Sequence, residues 1–298
     1  MTISFTAFCL AAFVGVMGVQ AEQQAAAGPE SEIATGPAEA SLEEIDRQLN
    51  NPLTSLWSLI FQENISLLEG DDLEDTEVGN TFFFQPALPV PVGDGLLWLA
   101  RPVFPIVTSP VFTDDGGERS DDSGGHTTGL GDIQVFSVLG PSTSEGSVWG
   151  VGGTFKFPTA TADVLGSGKW QAGPAALYFY MGRPWTLGTL VQHWWSVGGD
   201  ENRGDVNRTD IQYVARHSFP GAWSLGLGPT ISIDWNADPG NRVTFPIGLG
   251  ITKTVRLGGI PVKIRFEPQY SIIRPDDLGT SWNIRIQIAP VIASPFGG

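Results

Sequence analysis

The residues able to do covalent chemistry in this chain are few and badly placed for it. Cys9 is the only cysteine and sits in an apolar N-terminal run, which leaves the remainder without thiol or disulfide chemistry. The three histidines, His126, His193 and His217, are scattered, whereas a transition-metal site wants several ligands at fixed spacing. His217 and Ser218 are adjacent, and neighbours on a strand point to opposite faces, so they cannot form a nucleophile–base pair. His193 and Ser196, three apart, diverge as well. No enzymatic activity and no cofactor are expected. Two acidic stretches, 69–77 and Asp114 to Asp122, carry the carboxylates calcium prefers, but the spacing is not that of an EF-hand loop. They read as a solvated acidic surface, with divalent ions bridging it to lipopolysaccharide at most.

Non-covalent chemistry has better candidates. Asp210, Gln212 and Arg216, then Lys263, Arg265, Glu267 and Gln269, then Asn283, Arg285 and Gln287 alternate with apolar residues in three segments. If those segments are strands of a closed sheet, the ten side chains meet inside it. There they would contact a solute, replacing part of its hydration while paired charges set selectivity. The other reading is a salt-bridged plug that fills a narrow interior.

The elements needed to hold these residues are visible in the sequence. From Trp57 onward the hydrophobic period is two, and twelve strands are predicted near 57–68, 79–89, 95–106, 129–139, 147–157, 170–180, 184–196, 208–219, 222–234, 242–253, 260–272 and 280–291. Each suits a tilted membrane-crossing strand, which needs about 9–11 residues. Alternation is strictest late in the chain. Ile264, Phe266, Tyr270 and Ile272 oppose Lys263, Arg265, Glu267 and Gln269, and Trp282, Ile284, Ile286 and Ile288 oppose Asn283, Arg285 and Gln287. In 222–234, Trp223, Leu225 and Ile231 oppose Ser224, Gly226 and Thr230. This is the apolar-out, polar-in pattern of an antiparallel transmembrane β-barrel. Connections alternate between long (such as 107–128 and 158–169) and short (such as 181–183 and 220–221), as in barrels with long outer loops and tight periplasmic turns. Trp57, Trp98, Trp149, Trp170, Trp185, Trp223 and Trp282 fall near strand ends, where membrane interfaces lie. The second and third strands fit less well. Pro86, Pro89, Pro102 and Pro105 interrupt them, and Glu63 falls on an otherwise apolar face of the first, so bulges or a slipped register are expected there.

Composition agrees with a lipid-embedded β protein. Charged residues are 16% of the 298, against roughly 25% in a soluble domain, while 38 glycines and 10 tryptophans are many. The net charge of −16 argues against nucleic acid as a partner. Residues 1–21 read as a signal peptide with cleavage after Val19-Gln20-Ala21, although no Lys or Arg precedes the apolar run. Residues 22–50 read as an acidic flexible linker containing a short helix from the capping box Ser41-Leu42-Glu43-Glu44 to about Leu49, placed either in the periplasm or as a plug in the lumen. Residues 51–298 form the barrel domain.

Several runs carry a family likeness. They are Gly129-Leu130-Gly131-Asp132, Trp149-Gly150-Val151-Gly152, Phe157-Pro158-Thr159-Ala160-Thr161, Leu165-Gly166-Ser167-Gly168-Lys169-Trp170 with Gly173-Pro174, and Trp195-Ser196-Val197-Gly198-Gly199-Asp200 with Asp205-Val206-Asn207. The chain resembles, over about 50–293, the bacterial outer-membrane barrels catalogued under the MetA pathway of phenol degradation. The resemblance implies outer-membrane localisation and an uptake role, with aromatic or other hydrophobic compounds as the solute class it suggests, and brings no catalytic residues with it. The chain departs from the usual barrel ending in that two glycines follow Phe296. The expected function is a passive outer-membrane channel for small solutes, porin-like, with outer-membrane lipid and lipopolysaccharide as surroundings and the oligomeric state left open. The alternatives are a closed structural barrel whose acidic loops bind partners or stabilise the membrane, and a secreted soluble sandwich.

Overall fold

The protein is described by a computed structural model over residues 41–110 and 125–294. The expected signal peptide, most of the expected linker, the Asp114 to Asp122 loop and Phe296 lie outside the described residues. One short helix, α1 (Leu42–Gln48), precedes β1 (Trp57–Glu69), β2 (Glu77–Pro91), β3 (Leu96–Pro110), β4 (His126–Leu130), β5 (Ile133–Pro141), β6 (Gly146–Phe157), β7 (Lys169–Met181) and β8 (Trp185–Gly199). There follow β9 (Asn207–Phe219), β10 (Trp223–Leu227), β11 (Thr230–Asp234), β12 (Val243–Gly248), β13 (Gly250–Leu257), β14 (Ile260–Ile273) and β15 (Gly279–Ile292). β4 with β5, β10 with β11, and β12 with β13 each share one stave, interrupted midway, so the ring has the twelve staves expected.

The ring is antiparallel and closed. β15 pairs with β14 on one side (Phe266↔Ile286) and with β1 on the other (Phe61↔Ile288). Closure is what allows a sheet to cross lipid, because every backbone N–H and C=O must find a partner inside the protein. Apolar rings and chains point outward into lipid: Trp149, Val151, Ile251, Phe266 and Ile288 are each about half exposed. Tryptophans fall into two belts. Trp98, Trp149, Trp185 and Trp223 open strands at the mouth where connections are short, and Trp170, Trp195, Trp235 and Trp282 lie towards the opposite mouth. Among the described residues, no helix is long and apolar enough to cross a membrane.

The connections divide as expected. The tight turns include Gly258-Gly259, where φ values of 57° and 88° are those a two-residue hairpin turn needs and glycine adopts without strain. At the other mouth the long connections are tied together. Asp71 and Asp72 donate backbone N–H bonds to Asp276 O and Asp277 O, and Glu69 pairs with Arg274 at 2.9 Å. The stave break between β4 and β5 holds the connection 158–168: Asp132 accepts from Ser167 N (2.7 Å), Ser167 Oγ (2.8 Å) and Ala160 N (3.3 Å). A Cβ on Gly129 would fall 2.1 Å from Thr161 Oγ1, so glycine lets that connection lie against the strand.

The suspected register faults are resolved in two ways. The prolines do not slip β2 against β3: Phe84↔Phe104 and Leu88↔Ala100 belong to one register, with the ladder merely interrupted between them where N–H groups are missing. Glu63 does face outward, opposite Phe82 and Ile286. The alternation itself is less general than the late strands suggest. Towards the short-turn mouth, β3 and β5 to β8 are apolar on the inside too. Leu99, Phe136, Val138, Val148, Leu177, Phe179 and Leu190 form a core there around Leu53. These inward residues pack against protein rather than water, so the polar half of the pattern is not required of them.

The candidate lumen and the segment that enters it

The short-turn mouth is occupied by residues 41–56. Ser41 caps α1 by accepting from Glu44 N at 3.2 Å, and the fully buried Ile45 packs with Leu56 and Val291 of the barrel wall. Burying one such aliphatic side chain stabilises by about 1.5–3 kcal/mol. Polar contacts fix the rim. Arg47 Nη1 donates to Ser144 O (2.6 Å), Asn51 Nδ2 to Thr143 O (2.7 Å), and Gly221 N to Glu43 Oε1 (2.6 Å). The helix therefore touches two separate turns and seats inside the mouth. Burial pushes the Glu44 carboxyl up, but hydrogen bonds from Arg47 and Gln48 and the nearby Arg183 outweigh it and hold the group below the usual glutamate range. The segment's inner side meets wall charges directly. Asp46 accepts from Thr254 Oγ1 at 2.7 Å and lies 3.9 Å from Lys263 Nζ, and Asn50 Oδ1 accepts from both Arg216 and Lys263.

Above this segment the described residues leave the interior unfilled. One cavity of about 180 Å³ lies next to it, and a second of about 400 Å³ opens towards the long connections. They share Ile60, Arg101, Leu190, Gln212, Arg265 and Gln287 as a common waist. The upper cavity is polar. Its wall includes the Arg208–Asp210 ion pair at 2.9 Å, with Ser232 Oγ donating to Asp210 at 2.7 Å, and Gln134 Nε2 donating to Gln192 at 2.9 Å.

All ten polar residues singled out in the sequence lie on the inner face. Asp210, Gln212, Arg265, Gln269, Asn283, Arg285 and Gln287 line the upper cavity, and Arg216 and Lys263 line the lower one. Glu267 is fully buried behind them, paired with Arg265 and accepting from Gln269 Nε2 at 2.6 Å and Gly228 N at 3.2 Å. Several therefore also hold the wall together. Gly228, at the break between β10 and β11, offers its carbonyl to Gln212 (3.1 Å) and Arg285 (2.9 Å). The two histidines on later strands stay out of the interior: His217 rests on Trp185 and Phe219, and His193 on Trp195, with Thr209 Oγ1 2.7 Å from its Nδ1.

Sequence reasoning missed Arg101, Asp46, Asn50, Gln134, Gln192 and Arg208, which the fold brings to the same interior. Arg101 stands between Ala100 and Pro102 in a strand whose other inward residues, Leu97, Leu99 and Val103, are apolar, so nothing in its neighbourhood alternates. Its inward position follows only from phase, two residues beyond the buried Leu99.

No family model matches the chain, and no curated protein matches it. Solved structures do. The COG4313 outer membrane channel from Pseudomonas putida F1 superposes with a TM-score of 0.57 at 14% identity, covering 80% of this chain and 94% of that one. The CymD monoaromatic hydrocarbon channel superposes more loosely, with a TM-score of 0.44 at 10% identity over 88% and 94% of the two chains. The first likeness agrees at the level of fold with the family resemblance carried by the glycine-rich runs. This chain is a closed twelve-stranded transmembrane β-barrel with the fold of an outer-membrane channel.

Proposed function

We propose that this protein is an outer-membrane channel through which small solutes cross passively. The observation that carries the reading is the pair of stacked cavities with a common polar waist, running from the long-loop mouth to residues 49–52 of the N-terminal segment. A barrel needed only as a scaffold would close such space with side chains, as small barrels do. The structural neighbour from Pseudomonas putida, an outer membrane channel, supports the same reading. Aromatic and other hydrophobic compounds are the solute class that the family resemblance favours. The chemistry is non-covalent. Amide and guanidinium groups of the wall stand in for water around the solute, and no step needs a cofactor or a catalytic group. Lipid and lipopolysaccharide surround the apolar belts and the acidic long connections.

A closed structural barrel is the second reading, favoured by the seating of α1 in the short-turn mouth and by the bonded hub at Glu267. Single-channel recording of the refolded chain in a planar bilayer separates the two. Discrete, salt-dependent steps establish a pore. Silence from a barrel whose migration in detergent still shifts on boiling establishes the closed form.

A further inference from the structure

The lower cavity is divided by chemistry into two walls. One is apolar, made by Leu99, Phe136, Phe179, Leu190 and Val214. The other presents Arg101, Arg216, Lys263 and Arg265, and among the described residues no Asp or Glu lines the space. Two carboxylates stand behind that wall: Asp46, 3.9 Å from Lys263, and Glu267, paired with Arg265. Among the described residues, Arg101 and Arg216 pair with none. The Nε groups of Arg101 and Arg265 have no hydrogen-bond partner among the described residues, although Arg265 is only 8% exposed. The Arg101 guanidinium lies 5.2 Å from the Phe136 ring centre, at the seam between the walls. Buried cations in excess of their counter-charges are costly unless an anion or water completes them. This excess sits inside a chain whose net charge is −16, so it is not a product of general composition.

We propose that this cavity is a binding site for one small monocarboxylate with a flat or compact apolar body. A volume of about 180 Å³ suits a single ring, since an apolar cavity of about 150 Å³ accommodates benzene. The carboxylate meets Arg101 and Arg265 at the waist, completing their open N–H groups, and the body lies on Phe136, Phe179 and Leu190. The site rests on the reading of the interior as a solute path and adds the solute's charge to it. It selects against the neutral hydrocarbon of the same shape, which leaves the guanidinium groups uncompleted.

Equilibrium dialysis of labelled benzoate against the chain refolded in detergent, with binding to empty micelles subtracted, tests this. Benzyl alcohol and benzylammonium serve as neutral and cationic isosteres. The expected result is saturable binding of about one benzoate per barrel, about tenfold weaker in Arg101→Gln and largely restored in Arg101→Lys, a charge-assisted hydrogen bond being worth at least that factor. Equal binding of benzoate and benzyl alcohol overturns the proposal, as does indifference to Arg101→Gln, or no saturable binding by a barrel that remains heat-modifiable. The channel reading fails separately. Benzoate held by a non-conducting barrel supports the site and removes the channel, whereas conductance without benzoate binding keeps the channel and removes the site.

Discussion

Asp46 on the N-terminal helix lies 3.9 Å from Lys263 on β14, an ion pair between residues 217 positions apart in which both partners are buried. It ties the segment that enters the barrel to β14, the strand that also carries Arg265 and Glu267. Replacing Asp46 by Ala leaves Lys263 beside Arg216 with one counter-charge fewer and takes the acceptor from Thr254. Removing one partner of a buried pair costs about 3–5 kcal/mol. The seat of α1 is expected to loosen, with larger conductance steps in a bilayer and trypsin cleavage after Arg47 about tenfold faster or more, since cleavage follows the open population. Unaltered cleavage and conductance would show that the segment is held without this pair.

Acid is expected to loosen the same segment. Burial alone would push the Glu44 carboxyl up, but bonds from Arg47 and Gln48 hold it below the ordinary glutamate range, and Arg183 lies 3.7 Å away. A group whose folded pKa is depressed contributes its full stabilisation above the unfolded value, about 4.3 for glutamate, and loses it as pH falls through the lower folded value. Conductance recorded between pH 7 and pH 3 is expected to rise below about pH 4.3. Glu44→Gln should show the loosened behaviour at every pH and little further change with acid. A wild-type trace flat down to pH 3 would exclude Glu44 as the acid-sensitive contact.

Ion preference reports on the waist. Lys263→Ala and Arg265→Ala each remove a positive charge from the wall of the lower cavity. Reversal potentials in a salt gradient are expected to shift towards cation preference in both variants. If neither moves, ions do not pass beside these side chains.

Asp132 is expected to control the order of the connection 158–168. Three donors, Ser167 N, Ser167 Oγ and Ala160 N, converge on its carboxylate. Hydrogen bonds to a charged group are worth about 1.5–3 kcal/mol each. Asp132→Ala should speed thermolysin nicking within 158–168 and lower the temperature at which the barrel loses its compact migration. Nicking at the wild-type rate would show that Arg203, which bonds Asp163 O and Gly166 O from the neighbouring connection, suffices to hold the loop.

The sequence by itself determined the strand count, the antiparallel closed sheet and the inner face of β9, β14 and β15. The physical reason is that a lipid-facing wall must be apolar at every second residue, so Ile264, Phe266, Trp282 and Ile286 fix the phase of Lys263, Arg265, Asn283 and Arg285 without reference to any other strand. The signal weakens where the inside is apolar as well. Arg101 sits among Leu97, Leu99 and Val103, and its place in the same cavity lining as Arg265 depends on ring closure through strands far apart in sequence. The two readings of α1, periplasmic or in the lumen, also waited on tertiary structure. A capping box marks where a helix starts, but Ile45 needs Val291, and Asp46 needs Lys263 and Thr254, before the helix has anywhere to go. Local periodicity is a one-strand property and was legible. The division of the interior into an apolar and a cationic wall is a property of the closed ring, and only the fold decided it.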